Sequence, residues 1–221
     1  MDIRKDIRVD WITVDSFKDR HLKIKSLFES LGFDDTNQIN GKPIERAGLE
    51  RSAEVGRAHA KALENPGQVL VFEDDVQVTS SFSPTLENIP TDADAIYLGV
   101  SKYGVPFKNP APPLGYRPMF SCYSNPYRNA TRYQKIDETW DKPLNMLGIH
   151  AVIYLTESYK KQTIQNFSIA VETGIPCDVP IAVDMKNHNI YSPVHPWFYQ
   201  TNGNNAAATN LSLRGRFPCD P

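Results

Sequence analysis

Residues 67–76, with the sequence GQVLVFEDDV, decide the fold of this chain. Residues 68–72 form a short apolar run, which is typical of a strand buried in a parallel sheet with helices on both faces. The sequence Asn-Pro-Gly at residues 65–67 ends the helix that precedes this strand. Three adjacent acids (Glu-Asp-Asp, residues 73–75, the acid triplet) follow directly, so they lie at the carboxyl end of the predicted strand.

Helical and strand patterns alternate on both sides of this segment. The predicted helices cover residues 16–31, 49–63 and 156–172. The other predicted strands cover residues 7–14, 94–101, 147–155 and 190–191. The order β-α-α-β, then β, a long loop and β-α-β predicts an α/β fold, with helices flanking a central sheet. No linker interrupts residues 1–221, so we expect a single domain.

Residues 102–142 are dense in Pro, Tyr and Asn. A segment of this length without regular structure inside a compact domain is usually a lid or a binding loop. We therefore expect residues 102–142 to cover a ligand or to contact an acceptor.

The composition excludes several classes of protein. The 24 Lys and Arg against 26 Asp and Glu give a net charge of -2, which argues against a nucleic-acid-binding protein. The longest apolar runs are too short for a membrane span, and the first residues lack the apolar stretch of a signal peptide. We expect a soluble protein of the cytoplasm, or of the host cytoplasm if the chain is viral.

The acid triplet predicts a cation site. Ligands of open α/β sheets bind at the carboxyl ends of strands, and three adjacent carboxylates repel each other unless a positive charge lies nearby. Carboxylate oxygens suit Mg²⁺ or Mn²⁺. On an extended backbone Glu73 and Asp75 face the same way, whereas Asp74 faces the opposite way. The alternative is a solvated turn, in which Asp is common.

The stretch GQVLVFEDDV resembles the DXD-type motif of nucleotide-sugar-dependent glycosyltransferases with the GT-A fold. It resembles most specifically family 25, the lipopolysaccharide-biosynthesis and collagen-galactosyltransferase group. Five further segments resemble that family in the same order. They are ITVDSFKDR (12–20), AEVGRAHAKAL (53–63), DADAIYLG (92–99), GIHAVIYLTESYKK (148–161) and CDVPIAVDMKNHNIYSPVHPWFYQ (177–200). The resemblance implies a GT-A fold with a mixed, mostly parallel central sheet.

The resemblance to family 25 also implies the reaction. It implies transfer of a sugar from a UDP-sugar donor to a hydroxyl of a glycan, or of a protein-linked glycan, with Mn²⁺ or Mg²⁺ as cofactor. Asp75 would be the main metal ligand. Glu73 would contact the metal or the ribose, and Asp74 could serve either role. His195 is the candidate for a third metal ligand, with a surface turn as the alternative.

The remaining candidate residues follow from the same resemblance. Thr13, Val14 and Asp15, at the end of the first predicted strand, would bind the nucleotide. Arg20 or Arg57 would meet the phosphates, because a guanidinium matches phosphate oxygens, with a surface salt bridge as the alternative for each.

The acceptor side of the predicted site depends on three residues. Asp178 would be the catalytic base, with a helix cap or turn as its alternative role, and Asp184 is the reserve. His150 would line the acceptor pocket, unless it is a core histidine. A single candidate base favours inversion at the anomeric carbon.

Two other functions use the same acids. One is a Mg²⁺-dependent phosphoester hydrolase, although such sites usually recruit ligands for a second metal. The other is a catalytically inactive module that binds sugar nucleotides or carbohydrate. The chain departs from the family at Ala60 and Lys61, where relatives have a Ser-His pair. His59 lies two residues before the position of the family's His. Because of this departure, the inactive module remains an alternative.

Overall fold

The computed structural model describes residues 1–14, 18–44, 48–101, 103–105 and 131–200. Its strands are β1 (Arg8–Val14), β2 (Thr36–Gly41), β3 (Val69–Glu73), β4 (Val76–Val78), β5 (Ala95–Tyr97), β6 (Tyr133–Lys135), β7 (Trp140–Pro143), β8 (Ala151–Tyr154), β9 (Ile190–Pro193) and β10 (Phe198–Gln200). Its helices are α1 (Lys18–Leu31), α2 (Leu49–Glu64), α3 (Glu157–Thr173) and α4 (Asp178–Asp184), and a 3₁₀ turn, Met185–Asn187, follows α4.

Eight of these strands form one mixed sheet in the order β2-β1-β3-β8-β5-β9-β7-β6. Six of the eight run in the same direction, and β7 and β8 run against them. The predicted α/β class and the mixed, mostly parallel sheet are therefore confirmed. The remaining two strands, β4 and β10, pair antiparallel in a small second sheet.

Strand β3 divides its side chains between two apolar clusters, one on each face of the sheet. Val69 and Val71 belong to the cluster that α2 and α3 cover. Leu70 and Phe72 belong to the cluster that α1 covers. All four side chains are fully buried, which explains why the strand is apolar up to Glu73, its last residue.

The structure differs from the sequence expectation at several strands. The sequence order predicts no strand between the first two helices, yet β2 lies there as an edge strand. All six residues of β2, TNQING, are partly or fully exposed, which is compatible with their polar character. β5 is shorter than the strand predicted over residues 94–101. Part of the predicted loop 102–142 forms β6 and β7, and residues 102 and 106–130 lie outside the described residues.

Helix α3 begins and ends as its sequence predicts. The side chain of Thr156 caps its first turn, and Gly174 ends it with a left-handed backbone at a φ of 66°. None of the helices in the described part of the chain combines the length and the apolar character that a membrane span requires.

The buried side chain of Lys160 ties α3 to the turn that precedes β3. Its Nζ donates to the carbonyl oxygens of Asn65 at 2.6 Å and Gly67 at 3.0 Å. It also donates to Oε1 of Glu157 at 2.8 Å, and the same oxygen accepts from the backbone N–H of Gly67 at 2.9 Å. The Lys160 side chain is 1% exposed, so these oxygens replace its water shell.

Replacement of this lysine should therefore destabilise the fold. We expect Lys160→Met to lower the free energy of unfolding by about 3 kcal/mol, because two carbonyl oxygens lose a charged donor. Lys161→Met is the matched control, since Lys161 is exposed on the same helix. Urea denaturation followed by circular dichroism measures both variants, and equal losses would contradict the role of Lys160.

Candidate active site

A cavity opens at the carboxyl ends of the parallel strands β2, β1 and β3. Residues at or just beyond those strand ends line it together with the first turns of α1 and α2. Its charged lining residues are Arg20, Arg51, Glu54, Glu73, Asp74 and Asp75. The cavity thus lies where open α/β sheets bind their ligands, and it contains the whole acid triplet.

Asp74 is tied into the protein by two neighbouring elements. The Thr13 hydroxyl, at the end of β1, donates to its Oδ2 at 2.8 Å. Nη1 of Arg20, from α1, donates to its Oδ1 at 3.1 Å. The Thr13 hydroxyl also hydrogen-bonds the ring of His21. Thr13 and Arg20, both expected to bind the nucleotide, therefore also hold Asp74 in place.

Glu73 and Asp75 face a common point, as the alternation of the backbone predicts. Nε2 of Gln200 lies 2.7 Å from Oε2 of Glu73 and 3.3 Å from Oδ1 of Asp75. Gln200 reaches them because β10 pairs with β4, which places Gln200 opposite Val76. Sequence reasoning does not select Gln200, since its approach depends on a strand pair that the sequence pattern does not show.

The two facing carboxylates hold protons more tightly than ordinary carboxylates. Burial, and then the charge of Asp74, raises the pKa of Glu73 to about 7, although Arg51 and Gln200 act in the opposite direction. Burial, and then the charge of Glu73, raises the pKa of Asp75 to about 7, although Arg20 opposes the rise. A bound cation would reverse both shifts, because it favours the ionised carboxylates.

His59 contacts the acid triplet from α2. Its Nε2 lies 3.2 Å from Oε1 of Glu73, and its ring stacks on Phe167 with the centroids 5.4 Å apart. The side chain is fully buried, and this burial lowers the pKa of His59 to about 3. A neutral imidazole thus hydrogen-bonds Glu73, a role that the sequence leaves open because His59 is out of step with the family pattern.

Asp178 is the first residue of α4 and acts electrostatically on the same site. Burial raises the pKa of Asp178 to about 6, and the negative charge of Glu73 adds to this rise. Backbone hydrogen bonds, from its own amide and from Gly148, act in the opposite direction. Asp178 is thus the first residue of α4, and its pKa of about 6 lies close to neutral pH.

Asp184 lies at the other end of α4, and its carboxylate is occupied. It accepts from Nδ2 of Asn187 at 2.8 Å and from Nδ2 of Asn166 at 3.2 Å. Nε2 of His188 lies 3.0 Å from the same carboxylate. These contacts join α4 to α3 and to the following 3₁₀ turn, which is a structural use of Asp184.

His150 lies beside the acid triplet as a buried ring. Its backbone oxygen accepts from the N–H of Glu73 at 3.0 Å, and its side chain packs on Gly99. A Cβ at Gly99 would lie 2.0 Å from Nε2 of His150, so only glycine leaves room for the ring. Burial lowers the pKa of His150 to about 4, partly offset by the backbone of Phe198. His150 thus packs as the core histidine that the sequence allows.

Several predicted residues do not line the cavity; besides His150, Asp178 and Asp184, they include Arg57 and His195. Arg57 is exposed on α2 and pairs with Glu54, and His195 is exposed between β9 and β10. Among the described residues, no three His, Cys, Asp or Glu side chains have the arrangement of a metal site. The structure therefore does not gather Asp75, Glu73 and His195 into one ligand set. Val14 ends β1, and Asp15 lies outside the described residues.

Comparisons with known proteins give distant structural likeness only. No protein-family model matches the sequence, and no curated protein matches it. A solved structure that resembles this chain is the nucleoside-diphosphate-sugar pyrophosphorylase from Vibrio cholerae RC9, with a TM-score of 0.42 and 12% identity. The match covers 85% of this chain and 72% of that chain. The activity is therefore argued from the site itself.

The raised pKa values predict a pH dependence of folding. A carboxyl group with a folded pKa above its unfolded pKa contributes stability below the unfolded pKa, and that contribution disappears as the pH rises through the folded pKa. In EDTA, the contribution of Glu73 and Asp75 to the free energy of unfolding should therefore fall between about pH 4 and pH 7, whereas the lowered pKa values of His59 and His150 act in the opposite direction over that range. We expect Glu73→Gln to reduce this fall by about 2 kcal/mol, because the amide stays neutral.

Urea denaturation at several pH values checks this prediction. Glu64→Gln, at an exposed position of the same charge, is the control and should keep the wild-type pH dependence. If Glu73→Gln also keeps the full fall, the acid triplet does not set the pH dependence.

Proposed function

We propose that this protein is a metal-dependent glycosyltransferase of the GT-A type. It transfers a sugar from a UDP-sugar to a hydroxyl of a glycan or protein-linked glycan. The observation that carries the proposal is the pair Glu73 and Asp75, which face one point in a cavity at the carboxyl ends of three parallel strands. The resemblance of the surrounding sequence to the family 25 motif supports the same reaction.

The facing carboxylates suit a divalent cation. Mg²⁺ is commonly held by one or two carboxylates together with substrate phosphates, so a third protein ligand is not required. Nε2 of Gln200, a hydrogen-bond donor, lies within 3.3 Å of an oxygen of each carboxylate, and this shared contact supports a common site for one electropositive partner. Glu73 and Asp75 would therefore hold Mn²⁺ or Mg²⁺, which when bound would neutralise the leaving diphosphate.

The other residues of the site would position and deprotonate the reactants. Arg20 would contact the donor phosphates, since a guanidinium matches their oxygens. The acceptor oxygen attacks the anomeric carbon, the bond from that carbon to the diphosphate oxygen breaks, and UDP leaves. The proton of the acceptor hydroxyl passes to Asp178, whose pKa of about 6 suits a base near neutral pH. Attack opposite the leaving group inverts the anomeric centre.

Nucleotide binding tests the proposal. With Mn²⁺ present, UDP at a hundredfold excess over its Kd should stabilise the protein by about 2.7 kcal/mol. UDP without metal, GDP and CMP should give smaller effects. Asp75→Ala should abolish the metal-dependent part, whereas Asp35→Ala, at an exposed position, should keep it.

Thermal unfolding with each nucleotide, with and without Mn²⁺, measures these effects. A metal-dependent shift for none of the nucleotides would contradict the proposal. Nucleotide binding without sugar turnover would instead favour the inactive module, and release of phosphate from phosphoesters would favour the hydrolase.

The base assignment has its own test. Asp178→Asn should retain UDP binding but lose sugar transfer by about a hundredfold or more, because the amide cannot accept the proton. Asp184→Asn is the control at the other end of α4, and it should reduce stability while leaving transfer per folded molecule unchanged. UDP release from donor and acceptor measures transfer. Normal transfer by Asp178→Asn would remove Asp178 as the base.

A further inference from the structure

One face of α2 contributes a second guanidinium to the candidate site. Arg51, Glu54, Val55 and Ala58 line the cavity, at the spacing that places residues on one side of a helix. Arg57, the arginine of this helix that the sequence selects, is exposed and does not line the cavity. Arg51 is half-buried and lines the cavity that contains the acid triplet.

The charges of the cavity show what Arg51 can do. Four carboxylates and two guanidiniums leave its lining with a formal charge of -2. Arg20 lies 3.1 Å from Asp74 and 3.6 Å from Asp75. Arg51 lines the same cavity from α2, together with Glu73. Arg20 and Arg51 thus bring positive charge into the cavity from two different helices.

We propose that Arg51 binds the diphosphate of the nucleotide donor together with Arg20, so that the site selects nucleoside diphosphates over monophosphates. This inference rests on the proposed function and specifies the part of the donor that α2 recognises.

The electrostatic balance explains why both arginines are needed. A divalent cation on Glu73 and Asp75 would bring the formal charge of the lining to zero, and loss of Arg51 would make it negative again. A diphosphate would then enter against a net repulsion. A guanidinium also offers parallel N–H donors that match two phosphate oxygens, which a point charge does not. The second phosphate should therefore depend on Arg51 more than the first.

Calorimetric titration of UDP and UMP in the presence of Mn²⁺ tests this role. Arg51→Gln should weaken UDP binding by about tenfold or more, the loss expected for charged hydrogen bonds, and should weaken UMP binding much less. Arg51→Lys should give an intermediate loss, because lysine keeps the positive charge but lacks the parallel N–H donors of the guanidinium. Lys61→Gln, which removes one positive charge at an exposed position of the same helix, should leave both affinities unchanged.

Inorganic pyrophosphate adds a probe that lacks the nucleoside. It should compete with UDP for the wild-type protein and compete less well for Arg51→Gln. Equal losses for UDP and UMP, or equal effects of Arg51→Gln and Lys61→Gln, would overturn the role of Arg51. Wild-type protein that binds neither UDP nor UMP would instead overturn the proposed function, so the two failures are distinguishable. Thermal unfolding of each variant in EDTA checks that it is folded.

Discussion

The repulsion among three adjacent carboxylates at the end of β3 is the constraint around which the site is built. Burial strengthens this repulsion, because the ionised carboxylates lose water and interact through a medium of lower dielectric constant. Side chains from four different elements contact the acid triplet. Thr13 comes from β1, Arg20 from α1, His59 from α2 and Gln200 from β10. The acid triplet therefore fixes the relative positions of elements that are distant in sequence.

The three acids of the triplet are compensated to different degrees. Asp74 accepts hydrogen bonds from the Thr13 hydroxyl and from the Arg20 guanidinium, so its charge is well matched. Glu73 and Asp75 share the neutral amide of Gln200, and the Arg20 guanidinium lies farther from Asp75, at 3.6 Å, than from Asp74, at 3.1 Å. A neutral amide offsets the repulsion between two carboxylates less fully than a cation does. This incomplete compensation is what a cation-binding site requires, since a site already neutral would have little affinity for metal.

The sequence predicts those parts of the fold that bury apolar surface on a regular period. β3 is recognisable because both of its faces are covered, and α3 because Thr156 and Gly174 mark its ends. The position of the acid triplet at a strand end follows from the same reasoning. β2 escapes prediction because an edge strand of polar residues has no apolar pattern. The contact of Gln200 with the acid triplet is not predicted, because a three-residue strand carries little periodic signal.

The choice between arginines shows the limit of motif reasoning and how helical geometry extends it. Arg57 lies within the segment that resembles the family motif, whereas Arg51 precedes that segment. In the structure Arg57 pairs with Glu54 at the surface, and Arg51 lines the cavity. Six residues separate them, which rotates their side chains by about 240° around the helix axis. A motif identifies which helix approaches the ligand, but the face of that helix depends on how it packs.

The contact of Gly56 with Phe167 and Cys177 sets that packing, because a Cβ there would lie within 3.2 Å of both side chains. The glycine of α2 thus determines which arginine reaches the site.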